Sequence, residues 1–145
     1  MLLVLISFVA LGNMILGGIT GTETLTIESI LGFLFAPLAW LIGIPWEQAG
    51  LAGSLLGTKV VLNEVMAYVQ FAASADLFTE HSRLIMLYAL CGFANIGSLG
   101  ILIGGLLVLV PERKNEYLSI APKSVVCGTS VNLITGAIVG LVSLV

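Results

Sequence analysis

The chain has 145 residues, of which 59% are hydrophobic and only 9% charged, with a formal net charge of −3. A soluble domain carries roughly a quarter charged residues, so this composition excludes an ordinary soluble protein and indicates lipid as the main solvent. The few charges are scattered without a basic patch, which argues against a nucleic-acid partner. Cys91 and Cys127 lie singly in apolar runs and are interpreted as small buried side chains rather than metal ligands.

The first element is an uncharged apolar stretch whose core, from Leu2 to Leu16, could cross most of a bilayer as a helix. No basic residues precede it, so a cleaved secretory signal is a poor interpretation. Glycines within 17–21 predict its end, and Thr22 and Glu23 predict a polar turn. Because the sequence starts inside this stretch, we expect a truncated product or a gene whose first part lies elsewhere.

The second uncharged run, residues 29–46, allows two interpretations. Hydropathy alone predicts a spanning helix, although Pro37 lies inside it. Trp40 and Trp46 near its end are typical of the water–lipid boundary and favour a helix that lies in the interface. The residue pattern does not decide between the two.

Residues 45–73 contain two half-length apolar pieces with polar residues between them, at 57–59 and at Asn63-Glu64. Pro45 and Glu47 suit the first helical turn. Non-helical backbone persists at membrane depth only where it is buried in protein or lines a wet cavity. The pattern therefore predicts a re-entrant hairpin beside a transport pathway.

The next uncharged run, 84–110, follows a polar loop in which Thr79 or Ser82 can cap the new helix. Its centre, 91–100, contains three glycines and Asn95, and each glycine weakens a helix by roughly 1 kcal/mol. Secondary transporters place binding sites at broken helices of this kind.

The last element is predicted to begin at Pro122 and to end at residue 144, again without charge. Three of the five basic residues fall in the preceding loop, 111–123, so the positive-inside rule places that loop in the cytoplasm. The loop 74–83, with its ordinary surface residue His81, and the C-terminus are then external.

Glu64 is the main candidate for a functional side chain, because an ionisable group at membrane depth usually faces a cavity or a partner. It could accept hydrogen bonds from substrate hydroxyls, or form a structural salt bridge with Lys59, and both interpretations stay open. Asn95 and Ser98 are three residues apart and share a face. They could contact a sugar, whereas the alternative is interhelical hydrogen bonding.

Other candidates have simpler explanations. Phe93 could stack on a substrate, although packing is the commoner role for a phenylalanine in a membrane helix. Gly128, Asn132, Gly136 and Gly140 form a small-residue stripe that predicts close helix packing, with no ligand role for Asn132. No nucleophile–base pair, metal-ligand spacing or phosphate loop is present, so we expect neither an enzyme nor a cofactor.

Two motifs resemble those of the concentrative nucleoside transporters. The sequence GTKVVLNE at 57–64, followed by Ala67-Tyr68, resembles one family signature, and YALCGFAN at 88–95, followed by Ser98, resembles another. The segments FAPLAWLIG at 35–43 and PER at 111–113 also match, in the same order. The resemblance covers essentially the whole chain.

The resemblance implies an all-α integral membrane fold: a re-entrant helical hairpin plus a broken transmembrane helix, in the second half of an inverted-repeat transporter. It assigns the stretch at 25–43 to the interface. The implied segments are the end of a scaffold transmembrane helix (1–18), an external interfacial helix (25–43), the hairpin (45–73), the broken helix (83–109) and the last transmembrane helix (122–144).

The resemblance also implies the roles of the candidate residues. Glu64 would bind ribose hydroxyls, with Asn95, Ser98 and Phe93 completing that side of the site. The coupling cation, Na⁺ or H⁺, and the nucleobase would be held mainly by the missing N-terminal half, which is the implied partner chain. A homotrimer in the plasma (inner) membrane is also implied.

Two other hypotheses about the chain remain open. The chain is a non-transporting truncated or split subunit that needs a partner chain, or it is a small helical channel or structural membrane subunit. The first predicts uptake only with the missing half, and the second predicts no stabilisation by a nucleoside.

Overall fold

The computed structural model describes residues 2–21 and 25–143, and all regular structure within them is helical. The all-α prediction is confirmed. The seven helices are α1 (Leu2–Thr20), α2 (Ile27–Leu41), α3 (Trp46–Val61), α4 (Glu64–Ser74), α5 (Glu80–Leu90), α6 (Ile96–Leu109) and α7 (Lys114–Val142). The polar turn predicted at Thr22 and Glu23 lies outside the described residues, as does residue 144.

The helices α1 and α2 are joined through Asn13, a polar residue inside the otherwise apolar α1. Its Nδ2 donates to Glu28 Oε2 at 2.9 Å, and its Oδ1 accepts from the backbone N–H of Ile27 at 2.8 Å. Thr26 and Ser29 form a capping box at the same helix end. Asn13 thereby satisfies a backbone donor that the start of α2 leaves without an intrahelical acceptor.

The helices α2 and α3 meet at an angle of 120° across a short turn. Gly43 lies in that turn with φ +105°, a conformation that glycine adopts at no steric penalty. Gly53 of α3 lies so close to α2 that an added Cβ would be 2.5 Å from the Gly32 carbonyl oxygen. The two helices are therefore in backbone contact.

A turn at Leu62 and Asn63 separates α3 from α4. A 3₁₀ turn, Ala75–Leu77, follows α4. Thr79 caps α5 by accepting a bond from the Ser82 N–H, as one of the two predicted caps. The buried hydrophobic core surrounds α3, with side chains from α2, α4 and α5; its largest members include Leu55, Leu56, Phe71, Ile85 and Met86.

The helices α5 and α6 are separated by a non-helical segment, residues 91–95. The predicted small-residue stripe of α7 packs against this region. An added Cβ on Gly128 would meet the Cβ of Ala94 at 2.8 Å, and one on Gly136 would meet the Cβ of Ala89 at 3.0 Å. The glycines of the stripe let α7 approach both halves of the broken helix.

The predicted start of the last helix is wrong. The helix α7 begins at Lys114 and carries Pro122 in its interior, so 114–123 is helical rather than a loop. A proline can lie inside a helix when the loss of one backbone hydrogen bond is tolerated. The residues before Pro122 are mostly ordinary helix formers. Among the described residues, the helical stretch Pro111–Val142 alone is long and apolar enough to span a membrane as one helix, while α2 and α3 qualify only as a bent pair.

Candidate functional site

Glu64 is the first residue of α4, directly after the turn that reverses the chain. The preceding residue, Asn63, caps the helix, and its Oδ1 accepts the backbone N–H of Met66 at 2.9 Å. The carboxylate therefore lies at the positive end of the helix dipole, where negative charge is stabilised.

Asn95 is the N-cap of α6, the position that Asn63 has in α4. Its Oδ1 accepts the backbone N–H of Ser98 at 2.7 Å and so caps the helix. Its Nδ2 donates to Glu64 Oε2 at 2.9 Å. One side chain, only 2% exposed, thereby fixes the start of α6 and joins it to the start of α4.

The structure thus brings together three of the four predicted site residues through two hydrogen bonds: Glu64, Asn95 and Ser98. Their role as ligands stays a prediction. The interhelical hydrogen bond considered as the alternative for Asn95 is present, and its acceptor is Glu64 itself. Ser98 contributes its backbone N–H to this arrangement rather than its hydroxyl.

The alternative role of Glu64, a salt bridge with Lys59, is absent. Both residues are described, and no ion pair joins them. Lys59 is 1% exposed, and its Nζ has no hydrogen-bond acceptor among the residues that the structure describes. The Glu64 carboxylate is bonded to a neutral amide instead.

A cleft of 330 Å³ opens beside the break in the helix. Phe93, Asn95 and Ser98 lie in its wall together with Ala94, Leu99, Leu102, Ser124 and Val125. Such a volume, with mostly apolar walls and a few polar groups, is typical of sites for small organic ligands. Phe93 is 77% exposed, so its ring is available for stacking rather than buried in the core.

Sequence reasoning gave Tyr68 no structural role and placed Asn132 only in the packing stripe, although both residues shape this region. The Tyr68 hydroxyl donates to the Leu87 carbonyl at 2.6 Å and so joins α4 to the end of α5. The spacing of four residues from Glu64 places both on one face of α4 and could have indicated it. Asn132 of α7 abuts the break: a Cβ on Gly92 would lie 2.3 Å from its Oδ1.

The family model for the C-terminal region of Na⁺-dependent nucleoside transporters matches residues 1–140. The chain belongs to the concentrative nucleoside transporter family. Its fold is accordingly that of the C-terminal half of an all-α membrane transporter, and the predicted membership is confirmed.

Curated relatives and solved structures of this transporter family resemble the chain throughout. It is 43% identical over 144 residues to the transporter YutK of Bacillus subtilis, covering 97% of this chain and 36% of that protein. It is also 43% identical over 124 residues to the nucleoside permease NupC of Helicobacter pylori, covering 82% of this chain and 30% of that protein.

A structure of CNTnw in an inward-facing substrate-bound state superposes with a TM-score of 0.89 at 42% identity, covering 99% of this chain and 35% of CNTnw. The chain therefore spans about a third of the length of these concentrative nucleoside transporters.

Proposed function

We propose that this chain is the C-terminal part of a nucleoside:cation symporter and supplies the side of the binding site that holds the ribose. The observation that carries the proposal is the bond from Asn95 to Glu64, which joins the two helix starts beside the cleft. Family membership supports a nucleoside as the substrate class.

The chemistry of Glu64 suits adjacent sugar hydroxyls. A carboxylate offers about four acceptor sites, and Asn95 uses one of them on Oε2. The remaining sites accept hydrogen bonds from the 2′- and 3′-hydroxyls, and such charge-assisted bonds are stronger than neutral ones. The second N–H of Asn95, the hydroxyl of Ser98 and the exposed ring of Phe93 complete the contacts.

The remaining parts of the transport cycle are divided between this chain and the N-terminal half. We place the site of the coupling cation, Na⁺ or H⁺, and the nucleobase contacts mainly in the N-terminal half. The family description, which names Na⁺, supports sodium. We further propose that the α3–α4 hairpin and the broken helix move as one unit in a homotrimer of the plasma (inner) membrane.

The test of the ribose assignment is the variant Glu64→Gln in the complete transporter that contains this chain. Loss of the charge weakens each hydroxyl contact, so the KM for uridine should rise about tenfold to a hundredfold. The KM for 2′,3′-dideoxyuridine should not change, because that analogue lacks both hydroxyls. Glu112→Gln, at an exposed carboxylate, is the matched control. Normal uridine uptake by Glu64→Gln would refute the assignment.

A further inference from the structure

Lys59 is a buried charged side chain to which the site described above gives no role. It is 1% exposed, and its Nζ has no hydrogen-bond acceptor among residues 2–21 and 25–143. A buried charge is strongly unfavourable unless it is paired or otherwise compensated. A charged Lys59 is therefore stable at this position only with negative charge nearby.

Glu64 is the nearby source of that charge. Lys59 lies in the last turn of α3 and Glu64 in the first turn of α4, on the two sides of the turn at Leu62 and Asn63. No ion pair joins the two side chains directly. Each also lies at the helix end whose dipole favours its charge, the negative end of α3 and the positive end of α4.

The absence of a direct contact has a chemical consequence. A salt bridge would place an N–H donor on the carboxylate and use acceptor sites that hydroxyl groups could otherwise occupy. Glu64 Oε2 accepts from the neutral amide of Asn95, and no cationic group in the described part of the chain bonds to either carboxylate oxygen. Lys59 can thus balance the charge without competing for the oxygens.

We propose that Lys59 is a positioning residue that acts as the through-space counter-charge of Glu64. The ammonium balances the carboxylate at the α3–α4 turn and leaves its oxygens to the substrate. The availability of the oxygens to the substrate rests on the proposed ribose contact, whereas the charge pairing itself does not.

The pairing is tested by a double-mutant cycle on the complete transporter in detergent, with Lys59→Met, Glu64→Gln and the combined variant. Glu64→Gln leaves the buried Lys59 uncompensated, and Lys59→Met leaves the half-buried Glu64 without its counter-charge. Each single variant should therefore lower the melting temperature by roughly 5 °C. The combined variant should melt above Lys59→Met. The matched control is Lys114→Met, at an exposed lysine, which should show additive behaviour with Glu64→Gln.

Additive losses in the cycle, or the same coupling with Lys114→Met, would overturn the proposal. If Lys59→Met does not accumulate, the yield of monodisperse protein replaces the melting temperature. Recovery of that yield in the combined variant supports the pairing, and a yield no better than that of Lys59→Met overturns it. No sugar is present in these measurements, so their outcome is independent of the ribose assignment.

Discussion

The hydroxyl of Tyr68 donates a hydrogen bond of 2.6 Å to the carbonyl of Leu87, one turn before α5 ends. In an uninterrupted helix that carbonyl would accept the N–H of Cys91, but this N–H bonds to Tyr88 instead. Tyr68 of α4 therefore replaces the backbone donor that the Leu87 carbonyl loses at the break in the helix.

Replacement of Tyr68 by Phe tests the importance of this bond. The ring remains while the donor is lost, so the variant should be less stable by about 1 kcal/mol, seen as a lower melting temperature. Tyr88→Phe, at a residue that is 44% exposed, should change little. Equal effects of the two variants would show that the hydroxyl of Tyr68 has no special role.

Replacement of Gly53 by Ala tests the backbone contact of α2 with α3. The new methyl group would lie 2.5 Å from the Gly32 carbonyl oxygen and 2.7 Å from the Ala36 nitrogen, and neither backbone atom can move alone. The helices must separate, and such overpacking costs roughly 1–3 kcal/mol.

The control for this variant is Gly50→Ala in the same helix. An added Cβ there meets nothing within 4 Å, so the better helix propensity of alanine should leave stability unchanged or raise it. Thermal unfolding of both variants in detergent measures the difference. Similar curves would contradict the proposed close contact.

Asn132 and Gly92 form a coupled pair at the break. A methyl group on Gly92 would overlap the Asn132 side chain, so Gly92→Ala should destabilise the protein. Adding Asn132→Ala should restore much of the loss, because it removes both the overlap and a buried amide nitrogen that has no partner. Gly104→Ala, where nothing lies within 4 Å, should show no coupling with Asn132→Ala in the same unfolding measurements.

Much of the helical pattern could be predicted from charge gaps and glycines. The break near Asn95 and the small-residue stripe of α7 both follow from local composition, because glycine lowers helix stability and permits close approach. Pro122 misled the prediction, since a proline alone does not show whether the chain ends or continues a helix around it. That outcome depends on packing, which local sequence does not encode.

The residues of the candidate site could be predicted from the sequence, but the contacts between their side chains could not. Sequence spacing placed Asn95 and Ser98 on one face, but the role of Asn95 as a cap that also bonds to Glu64 depends on how α4 and α6 meet. The same holds for Lys59, for which an ion pair with Glu64 was a reasonable alternative at a separation of five residues. The distance in space between Lys59 and Glu64 is set by the turn between α3 and α4.

The unbonded Lys59 has an electrical consequence. One positive and one negative formal charge on either side of the α3–α4 turn sum to zero, and the membrane potential does no net work on a neutral group that shifts in depth. A single unbalanced charge would instead contribute about 2.3 kcal/mol for each 100 mV crossed. With both groups charged, movement of this turn would thus be insensitive to voltage.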